Sequence, residues 1–270
     1  MKSMNSEQPL VSVVMPTYSQ AQFIGDAVKS VLDQTYANFE LIIIDNYSED
    51  NTEDIIASFN DTRIKYEKFR NNGIIAASRN VGISESRGKY IAFLDSDDMW
   101  KPTKIEKQIE LLENDNNVFL VYSRLIVIKN GLYRKTLPKR KRLRSGNAFI
   151  PLFLSNNFIG TSSVLLRNDL KENNFLFDTD KRLIAIEDYD LWLRIAKNKQ
   201  IAYVEEPLVV YREHGCNTSR GIKSSLCRYL QLMKKNYHSV SKILLIMKYI
   251  LIFKAIGLLI IKKALAKVFI

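Results

Sequence analysis

Three carboxylates, Asp95, Asp97 and Asp98, close an apolar run formed by Tyr90, Ile91, Ala92, Phe93 and Leu94. A buried parallel strand reads as such a continuous apolar stretch, and ligands of open α/β sheets bind beyond the carboxyl ends of the strands. Carboxylates gathered there repel one another unless a cation lies among them. A hard divalent ion, Mn2+ or Mg2+, takes oxygen ligands and commonly bridges to substrate phosphates. The run therefore points to a metal-dependent site for a phosphorylated substrate. Spacing alone does not single it out, because Asp178/Asp180 and Asp188/Asp190 repeat the Asp-x-Asp pattern.

Other residues carry chemistry of their own. Thr17 and Tyr18 follow an apolar run at 10–15, and Asp45 ends a second at 39–44. Neighbouring parallel strands put their loops side by side, where a tyrosine can stack on a base and an aspartate can accept a base N–H; a surface aromatic and a turn residue are the plainer reading. Arg79 is suited either to neutralising a diphosphate or to a structural ion pair. Glu187 and Asp188 open a helical segment, as a cap or, for Asp188, as a general base aimed at an acceptor hydroxyl. His214 becomes a candidate metal ligand if it lies near the carboxylates, while His238 sits in a basic helical stretch. Gly160 and Thr161, with Ser162 and Ser163, form a small-residue entry to a strand where an acceptor could approach the backbone.

The elements that must position these groups alternate. Strand patterns at 10–15, 39–44, 63–69 and 90–94 are separated by helical patterns at 21–34, 51–59 and 74–86, with Gly88 as a stop, and a further helix follows Pro102 to about residue 114. Such alternation predicts βαβ units and a parallel sheet. A long strand at 118–128, a basic loop, a short helix at 148–154, a strand at 162–167, a helix at 188–197 and a strand at 201–204 then predict a mixed region that completes the site. No Gly-x-Gly-x-x-Gly follows the first strand and no Walker A run is present, which excludes those phosphate cradles.

The 270 residues suit one large α/β domain over 1–240, with a nucleotide-binding half at about 9–115 and an acceptor-side half at about 116–220, followed by a tail at 241–270. Cys216 and Cys227 form no Cys-x-x-Cys pair, and no secretory signal precedes the first strand, so a cytoplasmic setting is expected. Residues 134–145 hold seven cations and no acid, and 241–270 hold six lysines and no acid; together they exceed the whole net charge of +11. The body is thus near neutral, which argues against nucleic acid as partner and for two local anionic contacts. Ile and Leu dominate the tail, but lysines divide it too finely for a membrane span. A basic amphipathic helix on an anionic membrane surface, lysines toward the lipid, is expected, placing the protein peripherally on the inner face.

In order and spacing, these motifs resemble the GT-A fold glycosyltransferases, specifically the large inverting family 2. The resemblance runs over about 10–215 and is carried by 13–18, by Ser30 to Tyr36 with Phe39 to Asp45, by Arg79-Asn80-x-Gly82, by Ile91 to Asp98 with Trp100, and by Glu187 to Arg194. It implies a Rossmann-like nucleotide-binding half, a mixed central sheet flanked by helices, and transfer of a sugar from a nucleotide-diphosphate donor, UDP foremost, to a saccharide or lipid-linked saccharide in surface polysaccharide or lipopolysaccharide synthesis. It implies further that Thr17, Tyr18, Asp45, Arg79 and Asp95 bind the donor, Asp97 and His214 the metal, and Asp188 acts as base, with Gly160, Thr161 and Glu187 on the acceptor side. Two positions depart from the pattern: Ser19 stands where Asn is common, and Asn46-Tyr47 where an acidic and a small residue are usual. Two rivals remain at this point. A sugar nucleotidyltransferase would want a Gly-rich basic loop after the first strand, which 16–25 is not, and a non-catalytic membrane-surface protein would have no need of Asp95, Asp97 and Asp188.

Overall fold

The computed structural model describes residues 8–155, 157–215, 222–236 and 240–251; among 222–236, side chains are described for 228–235. The expectations for Cys216, Cys227, His238 and residues 252–270 lie outside the described residues and side chains. Four strands run parallel in the first half: β1 (Val11–Thr17), β2 (Phe39–Asp45), β3 (Ile64–Lys68) and β4 (Tyr90–Phe93), linked by α1 (Ala21–Leu32), α2 (Thr52–Ala57) and α3 (Ile75–Glu85). After a two-residue β5 (Met99–Trp100) come α4 (Lys104–Asn114), β6 (Val118–Lys129), β7 (Leu132–Leu137), α5 (Phe149–Ser155), β8 (Val164–Arg167), α6 (Glu187–Asn198), β9 (Gln200–Arg212) and α7 (Ile222–Asn236). The sheet order is β3-β2-β1-β4-β8-β6-β9-β5, with β7 also on β6. β8 is antiparallel to both β4 and β6, and β6 is parallel to β9. Along one edge β6 pairs β8 over residues 120–122 and then β7 from residue 125.

Helices cover both faces because both faces are apolar. All seven residues of β1 and of β2 are buried. Val11, Val13 and Met15 face α1 and α4, where Ile24, Ala27, Val28 and Val31 recur at helical spacing beside Ile105, Ile109 and Leu112. Val14 faces the other layer with α3, α5 and α6. A side chain at Gly82 would meet Val14 Cγ1 at 2.3 Å, so glycine lets α3 lie close on β1.

The structure differs from the sequence reading in three elements. Part of the basic loop is β7, an edge strand that is mostly exposed and so lacks an apolar period. β9 runs from Gln200 to Arg212 rather than over 201–204; a shifted register beside Pro207 and the charges of Glu205 and Glu206 hide its continuity. The predicted strand at 162–167 begins with a 3-10 turn at Thr161–Ser163. α3 spans Ile75–Glu85, in agreement with the helix read at 74–86. Residues 242–251 are helical, and Leu245 lies inside the α5–α6–α7 core, so packing continues past residue 240.

Candidate active site

The loops after β1, β2 and β4 lie side by side because Thr17 is in register with Asp45 and Val14 with Phe93. With α6 and the Gly160–Ser163 turn they line a cleft of about 700 Å³. Thr17, Tyr18, Arg79, Asp95, Asp97, Gly160, Thr161, Glu187 and Asp188 all border it. Tyr18 is half exposed at the rim, and Thr17 Oγ1 is buried with no hydrogen-bond partner among the described residues.

Asp45 does not border the cleft. It is fully buried and accepts hydrogen bonds from Ser48 N and Oγ and from Tyr66 Oη, while Asn46 and Asn71 line the wall beside it. Asn46 Oδ1 in turn accepts from Asn71 N at 2.9 Å. The two departures from the family pattern become intelligible here. Ser19 (φ 49°) and Tyr47 (φ 59°) are both left-handed, a conformation easiest for Gly and tolerated by Asn. Tyr47 adopts it with the Arg70 guanidinium 4.6 Å over its ring.

Arg79 is placed by α3 one turn before Gly82 and is 3% exposed. It donates from Nη1 to Glu187 Oε1 and from Nη2 to Asp95 Oδ1, both at 2.7 Å. Its charge is thereby matched by two carboxylates, so it ties the acid loop to α6 and does not stand free to meet a diphosphate. Asn80 clamps the next segment, donating to Phe177 O and accepting from Phe177 N. Phe177 lies beneath the Arg79 guanidinium and edge-on to Phe93 and Trp192. Arg79, Asn80 and Gly82 thus make three separate contacts within one turn of α3.

Asp97 Oδ2 lies 2.8 Å from His214 Nε2, which comes from just beyond β9 and touches Asp97 without itself bordering the cleft. Burial raises the Asp97 carboxyl, Asp95 adds to this, and His214 opposes it. Asp98 is a different kind of acid. It is buried, and it accepts from Ser162 Oγ at 2.6 Å and from Arg212 N at 3.2 Å; burial pushes its carboxyl well up. Asp95 N donates to the same Ser162 Oγ, and Trp100 Nε1 to Ser162 O. Asp98 and Ser162 therefore pin the acid loop to the acceptor-side turn and to the strand that carries His214.

Asp188 stands at the start of α6. Asn157 Nδ2 and Thr161 Oγ1 each donate to its Oδ2 at 3.1 Å, and Tyr189 N donates to Oδ1. No cation pairs with it among the described residues. Burial and the adjacent Glu187 carboxylate push its pKa up to about 7, against the pull of Arg79. That value suits a group that must take up a proton near neutrality. Ala185, left-handed at φ 67°, makes the abrupt turn that brings the helix start to the cleft. The other acidic pairs are neutralised: Asp178 by Lys235, Asp180 by Arg182, and Asp190 by Arg194 and Lys235.

A family model described as Glycosyl transferase family 2 matches residues 12–173. The chain belongs to that family. UDP-Glc:alpha-D-GlcNAc-diphosphoundecaprenol beta-1,3-glucosyltransferase WfgD of Escherichia coli is 35% identical over 195 residues, 72% of this chain and 73% of that one. The structure of S. aureus TarS 1-349 in complex with UDP superposes with a TM-score of 0.63 at 20% identity, over 75% of this chain and 60% of that one. The mannosyltransferase PcManGT of Pyrobaculum calidifontis, in complex with GDP-Man and Mn2+, superposes with a TM-score of 0.63 at 18% identity, over 91% of this chain and 70% of that one. The mixed sheet with helices on both faces is the GT-A fold. As a family 2 glycosyltransferase the chain carries Asp95, Asp97 and Asp188 along the cleft, and the structure adds residues that sequence reasoning missed. Asn157, which donates to Asp188 Oδ2, carries no signal beyond closeness to Gly160. Lys135 was submerged in a basic run.

Proposed function

We propose that this glycosyltransferase moves a sugar from a nucleotide diphosphate, UDP foremost, to a hydroxyl of a lipid-linked saccharide, with inversion at C1, in surface polysaccharide or lipopolysaccharide assembly. The observation that carries the reading is the separation of roles across one cleft: Asp95 and Asp97 on the strand-end loop, Asp188 on α6, and Arg79 between them. Asp188 takes the proton from the acceptor hydroxyl while Asn157 and Thr161 hold its carboxylate in place. The acceptor oxygen bonds to C1 as the C1–oxygen bond to the diphosphate breaks, and the electron pair leaves with the diphosphate. Base and leaving group on opposite sides of the sugar give a single displacement. Thr17 and Tyr18 bind the nucleoside at the rim, Asp45 shapes that wall through Ser48 and Asn46, and Asp95 faces the ribose.

Asp97 and His214 are fit to hold Mn2+ or Mg2+. Two protein ligands completed by phosphate oxygens and water are the usual arrangement for Mg2+ at a diphosphate, in keeping with the lack of a three-ligand cluster among the described residues. When bound, the ion supplies charge neutralisation at the leaving diphosphate. The relative that acts on a diphosphoundecaprenol-linked sugar and the neighbour holding GDP-Man and Mn2+ support the acceptor and metal assignments.

A peripheral position on the inner membrane face belongs to the same reading. No helix among the described residues is long and apolar enough to cross a membrane. Residues 242–251 turn Ile243, Ile246, Met247 and Ile250 outward, whereas Lys248 is buried against Tyr229, its pKa lowered to about 8 by burial. The expected orientation with lysines toward lipid is therefore reversed at this lysine, and the apolar row is the contact surface. A thermal-shift titration tests the donor and metal together. UDP with Mn2+ should raise the melting temperature, and chelation or Asp97→Ala should abolish the rise. A UDP response indifferent to both would sink the metal assignment, and no response in the wild type would sink the donor.

A further inference from the structure

The acceptor-side wall of the cleft contains a cation that the reaction proposed above does not use. β6 and β7 share a face: Leu125 is opposite Leu137, Val127 opposite Lys135, and Lys129 opposite Leu132, with a register shift after Val127. Leu125, Val127, Lys135 and Leu137 all border the cleft, with Tyr211 in register with Val127. Six carboxylates border it as well: Asp95, Asp97, Asp98, Glu187, Asp188 and Glu213. Two cations face them. Arg79 is taken by Asp95 and Glu187, and Glu213 is paired by Lys129 from the same hairpin. Lys135 is exposed and makes no hydrogen bond or ion pair among the described residues. Past it, at the tip of the hairpin, Leu132 is 65% exposed.

Along β7 the order is therefore an apolar wall beside the base, then an unpaired cation, then an exposed apolar tip. At about 3.4 Å per residue, Lys135 lies roughly 7 Å from Leu137 and roughly 10 Å from Leu132. We propose that the β6–β7 hairpin is the acceptor subsite and that it takes a saccharide joined to an apolar carrier through a phosphate ester, with the sugar against Leu125 and Leu137, the phosphate on Lys135 and the start of the carrier on Leu132. This rests on the transferase reading and specifies its acceptor: charge complementarity selects an anion at one point of an otherwise acidic cleft, and the apolar tip selects what the anion is attached to. A neutral oligosaccharide would leave Lys135 with only the longer-range pull of Glu213, which Lys129 already pairs.

The test uses the full chain in EDTA with geranyl diphosphate as probe, followed by calorimetry. Wild type should bind, and Lys135→Gln should weaken binding at least tenfold, the scale of a lost charge-assisted hydrogen bond. Leu132→Asp should weaken geranyl diphosphate but not inorganic diphosphate. Asp97→Ala should leave the probe bound, since without metal that carboxylate repels it; loss of binding there would put the probe on the donor site and overturn the subsite. Unchanged binding in Lys135→Gln, or a raised KM for the sugar nucleotide in the same variant, would also overturn it. A variant that loses phosphatidylglycerol vesicles but keeps geranyl diphosphate would make Lys135 a headgroup contact instead. The metal-dependent UDP shift separates the two readings: its presence without geranyl diphosphate binding rejects only the subsite, and its absence rejects the donor assignment itself.

Discussion

Asp188 and Asp190 stand two residues apart in the first turn of α6, on two different surfaces of the molecule. Asp188 faces the cleft, where an amide, a hydroxyl and a backbone N–H meet its carboxylate. Asp190 faces the α6–α7 interface, where Arg194 and Lys235 close on one of its oxygens and burial is complete. Both gain from the positive end of the helix dipole. The difference is the partner. A carboxylate clasped by cations inside a closed interface holds structure together and meets no substrate. One met by neutral donors beside another acid sits close to its protonation midpoint and can exchange a proton. Asp97, raised by burial and by Asp95, and Asp180, lowered by Arg182, are shifted in opposite directions.

Substitutions that exchange these roles test the contrast. The largest effect is expected for Asp188→Asn, which should lower kcat about a thousandfold or more while preserving the metal-dependent UDP shift; transfer at the wild-type rate would remove Asp188 as the base. Next is Arg79→Met, which leaves the buried Glu187 and the partly exposed Asp95 without their counter-charge and should cost about 3–5 kcal/mol in urea denaturation, with Arg79→Lys recovering part because a point charge cannot reproduce the two-armed bond. A loss under 1 kcal/mol would mean that the tie is dispensable. Asp190→Asn should cost about 1–3 kcal/mol of stability and leave kcat within about twofold. A tenfold fall in kcat with the fold intact would erase the distinction between the two acids.

The smallest expected effect is the most specific. With the Asp188 pKa raised to about 7, its base form is lost as pH falls, so the transfer rate should rise through about pH 7 and level off above it. The charged or titratable groups bearing on it are Glu187 in the same turn, Arg79 from α3 and Tyr229 from α7. Glu187→Gln removes the repelling carboxylate and leaves Arg79 more effective, so the midpoint should drop by about one pH unit, roughly 1.4 kcal/mol. A midpoint that stays in place would assign the titration to another group.

Much of the donor half was readable because its strands are buried on both faces and so appear as unbroken apolar runs; 10–15, 39–44 and 90–94 fall within a residue or two of β1, β2 and β4. The spacing of Ile24, Val28 and Val31 likewise revealed α1. The acceptor half was harder. β7 lies at an exposed edge and carries Tyr133, Arg134, Lys135 and Thr136 in succession, so no period separates an inner face from an outer one. The individual site residues were readable by type, since Asp97, Arg79, Asp188 and His214 do converge. Their partners were not. That Arg79 would reach Asp95 and Glu187, or that Ser162 would bind Asp98, depends on β8 entering between β4 and β6, a long-range pairing that no local pattern encodes.

The position of β8 also sets an order of assembly. As the chain is synthesised, β1 to β4 can pair with one another as soon as about 95 residues have emerged, but β4 then presents an open edge until residues 164–167 arrive. Open edges of this kind invite pairing with other chains, and contacts of long sequence separation form slowly. The Arg79–Glu187 bond spans 108 residues and closes later still. A nascent or truncated chain can therefore own the loops proposed to bind the donor without yet owning Asp188, the proposed base, and the cleft is complete only with the last insertion into the sheet.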